Sequence, residues 1–356
     1  MTTASALLEA FDQQVAWCRE PAPFTAHVLQ RSREWLARHP EAASAFARLA
    51  SAEDPAAAAL PLRWAGALHH LALQGLLPWA RLWPPAPGAD HAEQTDSLDA
   101  AIAAAWAQHR THCEAALKLP PQTNEVRRSA ALLPGLLHIA QHGRLPIVLL
   151  EIGASAGLNL WCDRYRYQTA SWAWGGAQAP LVLDSDWKGP APPLDAGLQI
   201  ARRAGCDAHP IDLAQPGESL RLASFVWPDQ PERLDRLRDA CAAAQAWQRA
   251  EGTAVEPLPA PQFVARELGS LAPGHTTVLM HSIVWQYMAV NEQQAVQAAM
   301  EEAGRGASHE AQLAWLRFEP PRAPARVELR CRRWPGGEDR LLAYCHPHGA
   351  SIEWLG

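Results

Sequence analysis

The chain has 356 residues, 48% of them hydrophobic and 19% charged, with a formal net charge of −6. Such a length and apolar content suit one large or two ordinary folded domains and exclude a disordered chain, and the acidic balance argues against a nucleic-acid or anionic-membrane binder. Lys118 and Lys188 are the only lysines; no G-x-x-x-x-G-K-[ST] phosphate loop exists, and Schiff-base chemistry has two poor candidates. From the N-terminus, Leu7, Leu8, Phe11, Val15 and Cys18 make a helical apolar stripe. Phe24, Val28, Trp35 and Leu36 make another, up to His39-Pro40, and Phe46 and Leu49 a short one. Trp64, Leu68, Leu71 and Leu76 make a further helix stopped by Pro78, before a loop with Pro84, Pro85 and Pro87. Leu98, Ile102, Trp106, His109, Cys113 and Leu117 then read as one long helix. All follow the 3.6-residue period, so residues 1–118 are expected to be an all-helical N-terminal domain. The adjacent pair His69-His70 points to different helix sides, and His109, His112 and Cys113 lack a second cluster, so no metal is expected.

After the break at Leu119-Pro120-Pro121, the α/β domain is expected over 119–356. Gln122, Asn124, Glu125 and Arg128 form a dense polar group where Thr123 or Asn124 can cap a helix, which Pro134 kinks and Gly143 ends. Ile147 to Ile152 is a buried strand broken only by Glu151. A small-residue turn, Gly153-Ala154-Ser155-Ala156-Gly157, and a helix from Leu158 follow. Tyr165 to Trp174 and Leu181 to Trp187 alternate around Gly175-Gly176, which predicts a β-hairpin insertion over 165–190. Further strands are expected at Leu198–Arg203, Thr253–Leu258, Thr276–Met280 and Leu313–Phe318. Helices are expected at Glu232–Arg249, around Phe263 to Leu271, and at Glu292–Ala303. Val327–Trp334 and Leu341–His346, joined by Pro335-Gly336-Gly337, predict a terminal antiparallel hairpin. Such alternation implies an open, mainly parallel sheet with ligands beyond the carboxyl ends of its strands. Glu151 to Gly157, Asp207 or Asp212, and His281 to Tyr287 then share one rim.

Three readings fit the turn after the key strand. It can cradle a nucleotide or cofactor on backbone N–H groups. Its letters satisfy the G-x-S-x-G nucleophile elbow, with Ser155 as the nucleophile of a serine hydrolase. It can also be a tight βα turn and nothing more. The key strand opens its sheet after a long helical stretch and has no oxyanion loop before it, which weighs against the elbow. His281 or His348 remains available to complete a Ser–Asp–His order.

The pattern acid-x-Gly-x-small-x-Gly at Glu151 to Gly157 resembles the first motif of the class I S-adenosylmethionine-dependent methyltransferases. The resemblance implies a Rossmann-like seven-stranded methyltransferase-type sheet with a terminal antiparallel hairpin. P-Q-T-N-E-V at 121–126, L-E-I-G-A-S-A-G-L-N-L at 150–160 and H-S-I-V-W-Q-Y at 281–287, together with R-x-G-x-D-x-x-P-x-D and V-W-P-D-Q between them, resemble a bacterial family of unknown function over nearly the whole chain. That second likeness names no substrate.

A methyltransferase acting on a small molecule is therefore the leading expectation. Glu151 would meet the ammonium of S-adenosylmethionine, with Gly153, Ala154, Ser155, Gly157 and Asn159 beside its methionine portion. Asp207, or Asp212, would accept hydrogen bonds from the ribose hydroxyls. His281, next to the cofactor, would serve as general base, with Tyr287 as a second catalytic group. Gln122, Asn124, Glu125, Arg128, Trp285 and Gln286 would line the acceptor pocket. The alternative is a non-catalytic cofactor- or small-molecule-binding protein. Seven cysteines without a C-x-x-C pair, no secretory leader and no apolar run of membrane length point to a cytoplasmic protein with no membrane partner.

Overall fold

The computed structural model describes residues 3–49, 55–56, 58–76, 82–83, 95–252, 255–321 and 326–356. The expected stop at Pro78, the loop prolines Pro84, Pro85 and Pro87, and Thr253 lie outside the described residues. Two compact units emerge: Met1–Thr123 with Pro216–Arg238, and Asn124–Gln215 with Asp239–Gly356.

The first unit is helical. It holds α1 (Thr3–Cys18), α2 (Pro23–Arg38), α3 (Pro40–Leu49), α4 (Leu60–Leu73), α5 (Thr95–Gln108) and α6 (Arg110–Lys118). The apolar stripes converge on one core that contains Phe11, Phe24, Trp35, Phe46, Trp64, Ile102 and Trp106. The long helix expected over 98–117 is two helices, because His109, with φ −121°, leaves the helical region between α5 and α6. The later segment 216–238, with α8 (Glu218–Ser224), clusters here. Phe225 packs so close to Gly66 that a Cβ on that glycine would lie 2.8 Å from its ring.

The second unit is built on a nine-stranded mixed sheet in the order β5-β12-β11-β10-β9-β8-β1-β6-β7. The strands are β1 (Ile147–Ile152), β5 (Asp186–Lys188), β6 (Ile200–Asp207), β7 (Val255–Pro257), β8 (His275–Ser282), β9 (Ala311–Glu319), β10 (Val327–Trp334), β11 (Asp339–Cys345) and β12 (Ser351–Trp354). From β7 to β9 all neighbours are parallel, and from β9 to β12 all are antiparallel. This overturns the expected seven-stranded methyltransferase-type sheet. The connection from Glu319 to Val327 is too short for a crossover helix, so β10 must turn back beside β9 and open a meander. The meander runs on through β12, a strand the sequence reading missed, and β5 then pairs in parallel with β12 at the far edge. The insertion also differs from a two-stranded hairpin: β2 (Arg166–Gln168) lies between β3 (Ala173–Trp174) and β4 (Val182–Asp184), antiparallel to one and parallel to the other.

Helices cover both faces. On one, α10 (Ala260–Leu268) and α11 (Val290–Gly306) bring Phe263, Val264, Val296 and Met300 against Val148, Leu150, Ile152 and Leu279. On the other, α7 (Ser129–Gly143) comes so close that a Cβ on Gly135 would lie 2.6 Å from Leu316 Cδ1. The remaining long helix is α9 (Pro231–Glu251), within which the two units divide. Successive strand residues alternate faces, so Glu151, paired with Met280, faces α7, whereas His281 faces α10 and α11. The chain reverses its direction of winding between β1 and β8, the switch point where open parallel sheets take ligands.

Candidate functional site

The turn after β1 has three residues in the left-handed region: Gly153 (φ 66°), Ser155 (φ 53°) and Gly157 (φ 74°). Glycine meets that demand at no steric cost, and a serine there is uncommon. Four backbone donors of the turn, those of Ala154, Ser155, Ala156 and Gly157, are spent within the chain. Ala154 N–H donates to Cys206 O, and Gly157 N–H to Ala154 O. Ser155 N–H donates to Asp207 Oδ2 at 3.0 Å. Ala156 and Leu158 N–H both donate to Asn124 Oδ1, at 3.2 and 3.0 Å. The structure Leu158–Arg164 is a 3-10 helix broken at Trp161, not an α-helix, so it brings little dipole to the turn. Space is filled as well: a Cβ on Gly153 would lie 2.3 Å from Val284 Cγ2, and one on Gly157 would lie 2.9 Å from Val255 Cγ2. These glycines admit neighbouring side chains. For an elbow at Ser155, the N–H of the following residue would hold the oxyanion. Asn124 occupies that donor.

Beside the turn, on the α7 face, lies a buried polar group. Asn124, Glu125, Arg128, Ser129, Glu151, Asn159 and Ser282 are each at most 8% exposed. The 3-10 turn Val126–Arg128 places them: Glu125 Oε1 accepts the Arg127 N–H, which caps it. Arg128 then reaches Pro347 O through Nε at 3.0 Å and Ser282 O through Nη1 at 3.0 Å. Ser129 Oγ donates to Asn159 Oδ1 at 2.8 Å. Glu151 Oε2 and Asn159 Nδ2 make no well-formed hydrogen bond among the described residues, although the two side chains lie close to each other. Burial pushes the Glu151 carboxyl up to about 8, against the pull of the Asn159 amide and the Arg128 guanidinium. A carboxylate in such a place costs several kcal/mol unless a cation or donor meets it.

On the opposite face, His281 Nδ1 lies 2.6 Å from Glu319 Oε1. The same oxygen accepts the Val284 and Trp285 N–H groups at 3.1 and 3.3 Å. The Trp285 ring stacks on the imidazole at 5.2 Å, and Trp315 stands at 6.0 Å.

A family profile described as "Uncharacterized protein conserved in bacteria (DUF2332)" matches residues 8–354. The chain belongs to that family. No curated protein and no solved structure matches this DUF2332 chain.

Of the residues singled out in the DUF2332 sequence, Asn124, Glu125, Arg128, Glu151 and Asn159 share one face. Asp207 braces the turn: besides Ser155 N–H it takes His209 N–H on Oδ1 at 2.8 Å. Asp212 is exposed and caps its own loop through Ala214 N–H. Gln122 is buried but belongs to the helical unit. His281 and half-buried Trp285 sit on the other face, while Gln286 is exposed and Tyr287 is 76% exposed. Sequence reasoning missed Glu319, Ser129 and Ser282. The signal for Glu319 was its place as the last residue of β9, beside the end of β8. Among the described residues no three or more His, Cys, Asp or Glu side chains gather as a metal site requires, and no helix is long and apolar enough to cross a membrane.

Proposed function

We propose that the chain binds S-adenosylmethionine on the α7 face, at the carboxyl end of β1, and passes its methyl group to a small-molecule acceptor. One observation carries the reading: Glu151 and Asn159, both buried and beside the switch point, leave Oε2 and Nδ2 without a well-formed hydrogen bond among the described residues, although the Asn159 amide lies near enough to favour the ionised Glu151. An acceptor next to a donor suits the ammonium and carboxylate of an α-amino acid head, which S-adenosylmethionine presents. The head would be held by side chains, since the N–H groups of Ala154, Ser155, Ala156 and Gly157 are already engaged.

Binding without turnover is the second reading. It is favoured by the placement of His281, which faces away from Glu151. Titration calorimetry with S-adenosylmethionine, on the wild-type chain and on Glu151→Gln, tests binding. Loss of a charged hydrogen bond is expected to weaken it by about 10- to 100-fold. Release of S-adenosylhomocysteine in the presence of a mixed pool of small metabolites separates the two readings. No heat with the wild-type chain at millimolar ligand rejects both for this ligand.

A further inference from the structure

The His281–Glu319 pair has a form that packing alone does not require. A buried imidazole on a strand is usually met at both nitrogens or left in apolar contact. Here Nδ1 is fixed on a carboxylate, while His281 Nε2 and Glu319 Oε2 have no partner among the described residues. Because a carboxylate only accepts, Nδ1 carries the proton, and in the neutral imidazole the lone pair then lies on Nε2. The turn that covers this pair is held against a cost. Ile283, a β-branched residue, has φ 51°, in the left-handed region where such side chains are outliers. It is pinned by Ile283 N–H donating to Phe318 O and by Glu319 taking the next two N–H groups. Strained backbone of this kind is kept where surrounding contacts over-determine it, and it gathers at sites that move or react. The far end of the turn faces solvent, with Tyr287 and Val290 76% and 68% exposed, and Gln293 Nε2 ties it to α11 by donating to Trp285 O at 2.8 Å and Met288 O at 3.1 Å.

We propose that His281 and Glu319 form a proton-accepting pair, uncovered when the turn carrying Trp285 swings aside, that takes a proton from a hydroxyl or amine of a small substrate. In that step the substrate O–H or N–H bond breaks and an Nε2–H bond forms. The electron pair stays on the substrate heteroatom, and the new imidazolium charge faces the Glu319 carboxylate. Glu319 is the positioning residue, for it sets both the tautomer and the closed turn. The pair is independent of any ligand at Glu151, because the two groups occupy opposite faces of the sheet.

Diethyl pyrocarbonate, which consumes a bare and reachable imidazole nitrogen, tests the proposal on the full chain, with each histidine followed by peptide mass spectrometry. His69, 2% exposed with Nδ1 against Ser224 O, is the internal control for reaction that needs unfolding. His281 is expected to react at least about tenfold faster than His69, and faster again in Trp285→Ala, as a low-cost local opening would give. Equal rates for His281 and His69 in the wild-type chain overturn the proposal without recourse to any variant. So does a Trp285→Ala chain in which His281 reacts no faster. In ¹⁵N-histidine spectra the wild-type chain should show His281 with its proton on Nδ1, and Glu319→Gln, which keeps an acceptor for the turn's N–H groups, should show a mixture of tautomers. An unchanged tautomer in that variant removes Glu319 from the pair and overturns the assignment.

Discussion

At Glu151, burial and function meet in one titration. Its carboxyl, ordinarily near 4.5, is pushed up to about 8 chiefly by desolvation in the folded chain. Between those values the unfolded state has lost the proton and the folded state still holds it. Stability must therefore fall as pH rises from about 4.5 to about 8 and level off above, by at most ~1.4 kcal/mol per pH unit from this group. Glu151→Gln should flatten that slope, which urea melts at pH 5, 6, 7 and 8 would measure. A ligand ammonium at Oε2 would favour the ionised form, so binding near neutral pH should release a proton. Calorimetry in two buffers of different ionisation enthalpy reads that release directly. An ammonium that drew no proton off would place the ligand head elsewhere.

The elements around the switch point show what the glycines of the turn make room for. Gly153 looks like room for a ligand, but the atom that uses the room is Val284 Cγ2, in the turn after β8. Gly153→Ala should destabilise the chain by about 2–4 kcal/mol, part from the left-handed φ and part from overpacking. If Val284 is the occupant, the double variant Gly153→Ala, Val284→Ala should recover the overpacking part; chemical denaturation of the four chains of this cycle measures it. Absence of coupling would return the space to a ligand. What the sequence disclosed follows from this. The strand Ile147–Ile152, its turn and the helical stripes were legible because period and punctuation are local. The meander and the place of β5 were not, since edge pairing depends on partners distant in sequence. Likewise Asn124, Glu125, Arg128, Glu151 and Asn159 were legible as polar residues near helix starts and strand ends. The separation of His281 from them depended on strand parity across β1 and β8, and so on a register that no local pattern fixes.

Across the whole molecule, the chain order and the compact units disagree at one place, and Asp229 shows why. The start of α2 has Ala22 at its cap position, with no side-chain hydrogen bond to offer. Its first free N–H groups are met instead by Asp229: Phe24 N–H donates to Oδ1 at 2.7 Å, and Thr25 N–H to Oδ2 at 3.0 Å, joined by Thr25 Oγ1 at 2.6 Å. A carboxylate there satisfies donors and also stands at the positive end of the helix. The helical unit thus draws its cap from the V-W-P-D-Q segment, far along the chain, and this joins the packing of Phe225 on Gly66 in tying 216–238 to Met1–Thr123. Asp229→Ala should cost about 2 kcal/mol, near the upper end for a lost cap, while Asp229→Asn, which keeps an acceptor, should cost less than half of that. Hydrogen exchange on the full chain is the decisive measurement. Amides of α1, α2 and α4 should lose protection in Asp229→Ala, and those of β1 and β8 should keep theirs, because local openings follow cooperative units and not sequence order. Loss of protection in β1 and β8 to the same extent would mean that the two units unfold as one, and the division at Thr123 and Arg238 would then have no energetic meaning.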